Sequence, residues 1–270
     1  MLTYPNIDPV ALSLGPVKVH WYGLMYLLAF LCAWGLASYR AKQRDGWTAD
    51  MVSDLVFYGA LGVVLGGRIG YVLFYEFGKF LENPLWLFQV WTGGMSFHGG
   101  FLGVMIAMLF WCKKYQKTWF QTLDFIAPCV PTGLMFGRIG NFIGGELYGR
   151  QVQDPSYPFG MIFPTDPLGL VRHPSQIYQA LCEGLILFII LWLFSAKPRP
   201  RMAVSALFLM GYGVARFFME FFRQPDADQG FILFGWMTKG QILTVPMLLI
   251  GLWMMWYAYQ KKIYDWQIKK

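Results

Sequence analysis

The feature that most constrains this chain is a set of long apolar segments that carry almost no charge. Residues 19–39 and 240–260 each form a run of 21 residues without a formally charged side chain. A helix needs roughly 20 consecutive apolar residues to cross the hydrocarbon core of a bilayer. Periodic helices of soluble domains usually run about 8–20 residues and carry a polar face. The pattern therefore predicts membrane-spanning helices.

The composition favours the same class of protein. Of the 270 residues, 56% are hydrophobic and 14% are charged, whereas soluble globular domains carry about 25% charged residues. These values argue against a soluble enzyme and against a disordered chain. The net charge of +7 does not indicate a nucleic-acid partner, because most basic residues lie in short runs between the apolar segments, as membrane topology requires.

Seven segments match the spanning pattern, although the fourth is interrupted by Pro128, Pro131 and several glycines. They are residues 19–39, 55–75, 94–111, 120–145, 175–196, 202–222 and 240–260. The sequence thus predicts an all-α polytopic membrane protein with about seven transmembrane helices. We expect a single integral-membrane domain over residues 1–270, with a small outer head at about residues 142–174.

Lysine and arginine collect after every odd-numbered segment. Of the 22 basic residues, 13 lie there: Arg40, Lys42, Arg44, Lys113, Lys114, Lys117, Lys197, Arg199, Arg201, Lys261, Lys262, Lys269 and Lys270. Cytoplasmic loops of membrane proteins are enriched in these residues. We therefore predict an outer N-terminus and a cytoplasmic C-terminus, which places the longer loops 76–93, 146–174 and 224–239 outside.

Three arginines lie inside predicted spans: Arg68, Arg138 and Arg216. A charge at the centre of a bilayer costs at least about 2.5 kcal/mol, so each arginine needs a partner or a wet cavity. In the predicted orientation all three lie roughly 10 Å below the outer end of their span, at about 1.5 Å per residue. This shared depth predicts a single polar cavity that opens outward.

Other polar residues reach the same level: His20, Tyr22, His98, Asn141, Glu146, Tyr212 and Glu220. Arginine binds phosphate through two parallel donors and stays charged when buried. Several arginines in the outer leaflet therefore favour a phospholipid headgroup as ligand.

Structural roles for the same side chains stay open at this point. Arg216 and Glu220 are four residues apart on one predicted helix and could simply neutralise each other. Arg68 could pair with Glu76, whereas Arg138 has the fewest local partners.

No motif for metal, nucleotide or serine chemistry accompanies the arginines. The sequence lacks H-E-x-x-H, a P-loop and G-x-S-x-G, and its four cysteines show no metal-ligand spacing. We therefore expect no metal and no cofactor, and a nucleophile that a substrate supplies. The residues also leave open an anion transporter or channel, a non-catalytic lipid-binding scaffold, and a headgroup transferase with another acceptor.

Six motifs carry a family resemblance over nearly the whole chain. They are HWYGLMY (20–26), GGRIGY (66–71), GGMSFHGG (93–100), GRIGNFIGGELYG (137–149), RHPSQ (172–176) and EFFRQPD (220–226). With them the sequence resembles the phosphatidylglycerol–prolipoprotein diacylglyceryl transferases of the bacterial inner membrane. One position departs, because the family signature has Asn where this chain has Gly144.

The resemblance implies a specific reaction. Such enzymes move the sn-1,2-diacylglyceryl group of phosphatidylglycerol onto the lipobox cysteine thiol of a preprolipoprotein, form a thioether and release glycerol phosphate. This is the first step of bacterial lipoprotein maturation, and it needs no metal or cofactor. The implied partners are phosphatidylglycerol, the preprolipoprotein and the lipid bilayer, with the head on the periplasmic side.

The resemblance also assigns roles to residues. It implies that Arg138 and Arg216 are essential and that His98 is a base or polar participant. We predict that the two arginines clamp the phosphate and that His98 accepts or positions the thiol proton. The substrate-binding residues predicted besides Arg138 are Tyr22, Arg68, Tyr71, Asn141, Glu146, Gly149, Tyr212 and Glu220.

Overall fold

The structure, a computed structural model, describes residues 2–5, 7–15, 17–89, 92–154, 156–224, 230 and 232–267. The α-helices are α1 (Trp21–Lys42), α2 (Ala49–Tyr75), α3 (Phe77–Glu82), α4 (Phe97–Tyr115), α5 (Trp119–Ile126), α6 (Val130–Ile143), α7 (Ser175–Gln179), α8 (Leu187–Phe194), α9 (Ala203–Met219) and α10 (Lys239–Lys261). A π-helix at Ala180–Ile186 joins α7 to α8, and 3₁₀ helices cover Pro84–Phe88 and Ala127–Cys129. The chain divides into two compact units, the first Met1–Leu36 with Leu123–Ile268 and the second Ala37–Thr122 with Lys269–Lys270.

The helices support a membrane protein. Four are long and apolar enough to cross a bilayer, namely α1, α2, α10 and the continuous helix Ser175–Phe194. The apolar helix α9 is shorter, and α4, α5 and α6 overlap the third and fourth predicted spans. The predominance of helix is confirmed, and the number of seven spans stays a prediction.

The expectation of an all-α chain is wrong in one respect, because the structure contains two short antiparallel pairs. Strand β1 (Val10–Leu14) pairs with β2 (Val17–His20), and β3 (Met161–Ile162) pairs with β4 (Val171–Arg172). Val19 and His20, which the sequence placed in the first span, therefore lie in β2. Residues 17–20 alternate apolar and polar side chains, which is typical of a strand, and α1 begins only at Trp21.

Glycines bring two helices of the second unit into backbone contact. Gly62, Gly66 and Gly70 of α2 face Gly99 and Gly103 of α4. A Cβ atom on Gly62 would lie 2.7 Å from the carbonyl oxygen of Gly103, and one on Gly70 would lie 2.6 Å from the Cα of Gly99. No larger residue fits this contact without moving a helix, as in other small-residue helix interfaces in membranes.

The first unit packs α6 against the helix Ser175–Phe194 and packs α9 against α10. Gly184 permits the first contact, because a Cβ atom there would lie 2.6 Å from the Cβ of Met135. Thr238 begins α10 through a capping box with Gln241, whose side chain accepts from the Thr238 backbone N–H. These contacts fix the helices that carry the polar side chains of the unit.

A buried ion pair organises the predicted head. Arg172 Nε lies 2.8 Å from Oδ2 of Asp166 and its Nη2 lies 3.1 Å from Oδ1, so both carboxylate oxygens are engaged. The same carboxylate accepts from the backbone N–H groups of Leu168 and Leu170, each at 3.2 Å. The Arg172 guanidinium lowers the pKa of Asp166 to about 2.

We predict that Asp166→Asn destabilises the protein in a pH-dependent way. The folded pKa lies below the unfolded value, so the ionised carboxylate contributes stability that is complete above about pH 4 and is lost as the pH falls toward about pH 2. At neutral pH the substitution should cost about 1–3 kcal/mol in free energy of unfolding. Thermal unfolding of the purified protein between about pH 3 and about pH 7 measures the difference.

Asp154→Asn provides the matched control. Asp154 is exposed and accepts from Ser156 within its own turn, so its substitution should change the melting temperature little. A deficit of Asp166→Asn that is equally large at the two ends of the pH range would contradict the ion-pair argument.

Candidate active site

Three arginines and two glutamates of the first unit form a chain of ion pairs of alternating sign. Arg138 Nη2 lies 3.9 Å from Oε2 of Glu183, and Arg216 Nη1 lies 3.7 Å from Oε1 of the same carboxylate. Arg216 Nη2 lies 2.8 Å from Oε2 of Glu220. Arg223 Nη1 lies 3.6 Å from Oε1 of Glu220. We call these five residues the arginine chain.

Different helices supply the members of this chain. Arg138 lies on α6, Arg216 lies near the end of α9 and Glu220 caps that end. The structure thus brings together Arg138 and Arg216, which the sequence predicted as a clamp. It also confirms the i, i+4 pairing of Arg216 with Glu220.

Glu183 and Arg223 are the two members that the sequence analysis missed. Glu183 is the only charged residue in the predicted span 175–196, and this signal could have identified it beside the arginines of the other predicted spans. It lies on the π-helix Ala180–Ile186, and π-helical turns occur frequently at functional sites. Without it, Arg138 and Arg216 would lack the carboxylate that they share.

The carboxylate of Glu183 is fully buried, with 0% of its side chain exposed. Neither of its oxygens, nor Nη1 of Arg216, makes a hydrogen bond to any residue in the described part of the chain. Distances of 3.7 and 3.9 Å are too long for hydrogen bonds. Buried polar atoms without partners indicate that a water, ion or ligand completes the site.

The two guanidinium groups are partly exposed. The side chains of Arg138 and Arg216 are 22% and 13% exposed. Among the described residues, Glu183 is the only one whose carboxylate lies within 4.0 Å of Arg138. With three positive and two negative members, the arginine chain has an excess of one positive charge, which favours an anionic ligand where the local dielectric is low.

Glu220 holds Arg216 rather than facing an open site. Its Oε1 atom accepts from the hydroxyl of Thr238 at 3.0 Å, and the residue is 2% exposed. A Cβ atom on Gly240 would lie 2.8 Å from its carboxylate carbon, so the start of α10 closes around it. The predicted contact of Glu220 with substrate stays a prediction, and the visible role is to orient Arg216.

Residues of α6 and α1 lie beside Arg138. Asn141 follows Arg138 by one helical turn, is buried, and makes no side-chain hydrogen bond to the residues that the structure describes. Gly140 lets the ring of Tyr22 approach, since a Cβ atom there would lie 3.0 Å from Cδ2 of Tyr22. The Tyr22 hydroxyl lies 3.3 Å from that of Tyr26. A free amide and a phenol near Arg138 suit a polar headgroup.

Two further predicted residues lie in the same unit. Tyr212 precedes Arg216 by one turn of α9 and stacks on Phe208, with ring centroids 6.0 Å apart. The side chain of Glu146 is exposed, while its backbone N–H donates to Asn141 at 2.9 Å and its carbonyl accepts from Gln176 at 2.6 Å. The turn after α6 is therefore fixed through backbone groups, and the Glu146 carboxylate stays available.

Gly149 lies where three backbone segments meet. Its N–H donates to the carbonyl of His173 at 2.8 Å, and the N–H of Arg150 donates to Phe222 at 2.8 Å. Arg150 also donates from its guanidinium to the carbonyls of Arg223 and Glu220. This junction ties the head to the end of α9, where the arginine chain begins.

Three predicted site residues lie in the second unit. Arg68 is buried and donates to the carbonyl oxygens of Trp86 at 2.7 Å and Leu87 at 3.0 Å, with its guanidinium 4.4 Å from the Trp86 ring centroid. Its expected partner Glu76 pairs instead with Lys79 at 3.0 Å. Arg68 therefore anchors the loop that follows α3.

Tyr71 and His98 belong to the same part of the second unit. The ring of Tyr71 covers Gly94, where a Cβ atom would lie 2.6 Å from Cδ1 of the tyrosine. His98 is exposed on the first turn of α4, whose N-terminus Ser96 caps by accepting from the Gly99 N–H at 3.2 Å. The roles assigned to Arg68, Tyr71 and His98 in the site stay predictions.

Known proteins resemble this chain over its full length. The family model described as prolipoprotein diacylglyceryl transferase matches residues 9–257. A phosphatidylglycerol–prolipoprotein diacylglyceryl transferase of Acinetobacter baumannii (strain ACICU) is 93% identical over 270 residues, which cover 100% of this chain and 99% of the relative. Proteins of the same name from Acinetobacter baylyi and Psychrobacter arcticus are 89% and 61% identical, covering 98% of this chain and 97% and 98% of the relatives.

We predict that Gly149→Ala acts on stability. A Cβ atom there would lie 2.5 Å from the carbonyl oxygens of both His173 and Phe222, so backbone must move, at a cost of about 1–3 kcal/mol. Gly144→Ala is the control, because Gly144 has right-handed dihedrals and its Cβ atom would meet only the exposed side chain of Glu146. Thermal unfolding of the two purified variants compares them, and a lost activity at unchanged melting temperature would instead support a direct contact of Gly149 with substrate.

Proposed function

This chain is an enzyme that belongs to the prolipoprotein diacylglyceryl transferase family, and we propose that its arginine chain binds the phosphate of phosphatidylglycerol during transfer of the diacylglyceryl group to a lipobox cysteine. The observation that carries the proposal is the buried carboxylate of Glu183 shared by Arg138 and Arg216. It holds two partly exposed guanidinium groups within one site, and each offers the planar donor pair that suits phosphate oxygens.

The reaction follows from the two substrates. The cysteine sulfur forms a bond to the glycerol carbon next to the phosphate, and the bond between that carbon and the phosphate oxygen breaks. The electron pair goes to the phosphate, which leaves as glycerol phosphate, and the thiol proton goes to a base or to solvent. The products are a thioether on the protein and a phosphate monoester that carries one more negative charge than the lipid.

The arginines stabilise the charge that develops on this leaving phosphate. Donors that are already in place at the site of developing charge need no reorganisation during the reaction. Arg138 has the more exposed side chain and no hydrogen-bond partner in the described chain, so we assign it the direct phosphate contact. Arg216 is held by Glu220 and Glu183 and supplies the second positive group.

The group that would deprotonate the acceptor thiol is proposed from the sequence resemblance. A cysteine thiol has an ordinary pKa of about 8.5, so transfer near neutral pH requires a base or a positive potential. We propose His98 for this role on the family resemblance. Tyr22, Asn141 and Glu146 would orient the lipid headgroup or Arg138.

The membrane setting is also part of the proposal. The distribution of basic residues supports an inner-membrane protein whose N-terminus is periplasmic and whose C-terminus is cytoplasmic. In that orientation the arginines lie in the outer half of the bilayer. Phosphatidylglycerol then reaches the site from the same leaflet, with its headgroup at the depth of the guanidinium groups.

We expect purified protein, phosphatidylglycerol and a lipobox peptide to yield a peptide that is heavier by one diacylglyceryl unit on its cysteine. Arg138→Ala should abolish the transfer, and Arg138→Lys should lower the rate about a hundredfold or more, because one ammonium cannot replace the paired donors. Mass spectrometry of the peptide gives the rate.

Arg199→Lys is the matched control, since Arg199 donates to the carbonyl of Phe194 and belongs to no ion pair of the arginine chain. It should retain the wild-type rate. Full activity of Arg138→Lys would contradict paired phosphate binding, and no transfer by folded wild-type protein would overturn the proposed function.

His98→Gln tests the proposed base. If His98 accepts the thiol proton, the variant should lose about a hundredfold in rate near neutral pH. The deficit should shrink as the pH rises past about 8.5, because the thiol then ionises without help. A pH–rate profile measures both effects, and nearly full activity of the variant at neutral pH would show that the base assignment is wrong while leaving the arginine site intact.

A further inference from the structure

We infer that Glu183 is a specificity-determining residue, which weakens the binding of a phosphomonoester dianion to the arginine site more than the binding of a phosphodiester monoanion and so promotes release of glycerol phosphate. The inference rests on the proposed function and deepens it. Its starting point is geometric, because a fully buried carboxylate lies between two guanidinium groups at distances too long for hydrogen bonds.

The distances show that Glu183 does not saturate the arginines. An ordinary arginine–carboxylate pair has N–O distances of about 2.7–2.9 Å and uses two donors of the guanidinium. Arg216 Nη2 lies 2.8 Å from Oε2 of Glu220, whereas Glu183 lies 3.7 and 3.9 Å from Arg216 and Arg138. The donors that face Glu183 thus remain available, and Glu183 acts on a bound anion through its charge.

The charge of the site decides which anion binds best. With Glu183 ionised, the three arginines and two glutamates of the arginine chain carry an excess of one positive charge. This excess matches one negative charge, and without Glu183 the excess would be two. The carboxylate is 0% exposed, so water screens its repulsion of a nearby anion less than at a surface.

Substrate and product differ in this respect. The phosphodiester of phosphatidylglycerol carries one negative charge, whereas a phosphate monoester carries about −1.5 to −2 near pH 7. The Coulomb energy of an ion beside a fixed charge is proportional to the charge of the ion. Glu183 therefore repels glycerol phosphate about twice as strongly as it repels the lipid phosphate. Glu183 thereby weakens the binding of the product glycerol phosphate and favours its release.

The test compares two inhibitors of the transfer reaction in the full-length enzyme. One is glycerol phosphate, and the other is its methyl ester, a phosphodiester with one charge. Glu183→Gln removes the charge while keeping shape, and we expect inhibition to tighten about tenfold for glycerol phosphate and about threefold for the methyl ester. Glu183→Asp keeps the charge and should leave the ratio of the two inhibition constants within about twofold of wild type.

Glu82→Gln is the matched control for net charge, because Glu82 is exposed and belongs to no ion pair of the arginine chain. It should leave the ratio unchanged. A purely structural role of Glu183 would weaken the binding of both inhibitors to the same degree. An unchanged ratio of the two inhibition constants in Glu183→Gln, or weaker inhibition by glycerol phosphate, therefore overturns the inference.

Calorimetric titration provides a second test that does not depend on transfer activity. If Glu183 acts as inferred, Glu183→Gln raises the preference for glycerol phosphate over the methyl ester about threefold relative to wild type, whereas Glu183→Asp leaves it unchanged. An equal preference in wild type and Glu183→Gln would overturn the inference. Calorimetric titration of both compounds gives this ratio even if the transfer assay shows no activity, so failure of the proposed function and failure of the inference are distinguishable.

Discussion

The interaction on which the first unit depends is the sharing of one buried carboxylate by two arginines. Arg138 and Arg216 come from helices far apart in sequence, and two like charges beside one carboxylate repel each other where water is scarce. Glu183 offsets that repulsion from a position with no exposure. Removing one member of such a group leaves an uncompensated buried charge, which is more costly than never having built the group. The packing of α6 against the π-helix and of α9 against α10 therefore brings together charges that compensate one another.

Further polar and charged groups of the first unit hold Arg216 in place. Glu220 pairs with Nη2 of Arg216, and the hydroxyl of Thr238 at the start of α10 donates to Glu220. Arg150 donates to backbone carbonyls at the end of α9, where unpaired carbonyls favour a cation. Each contact reduces the freedom of Arg216, while Arg138 is left with an exposed fraction of 22% and no hydrogen bond to the described chain. An anion that enters therefore meets one guanidinium that is fixed and another whose donors are free.

Much of this could be predicted from the sequence, and the failures have identifiable physical causes. Arg138 and Arg216 are charged residues inside apolar runs, which the sequence alone reveals. The i, i+4 spacing predicts that Arg216 can pair with Glu220. Glu183 is also a lone charge in an apolar run, but its partners lie on other helices, so no local spacing reveals that it shares a site with Arg138 and Arg216. The sequence places Val19 and His20 of β2 in the first span, since hydropathy counts apolar residues without regard to their period. Arg68 illustrates the reverse case, in which an intramembrane charge finds backbone carbonyls rather than a ligand.

Residues of one family motif therefore differ in role, because some offer polar groups and others are required by the packing of the backbone. In the stretch from Gly137 to Gly149, Arg138 and Asn141 make no side-chain hydrogen bond to the residues that the structure describes, whereas a Cβ atom on Gly149 would lie 2.5 Å from two backbone carbonyl oxygens. Gly144, where the family signature has Asn, has right-handed dihedrals and faces an exposed side chain. Backbone geometry thus permits a side chain at position 144 and forbids one at 149. A Cβ atom at position 144 meets the exposed side chain of Glu146, while one at position 149 shifts the junction that fixes the end of α9.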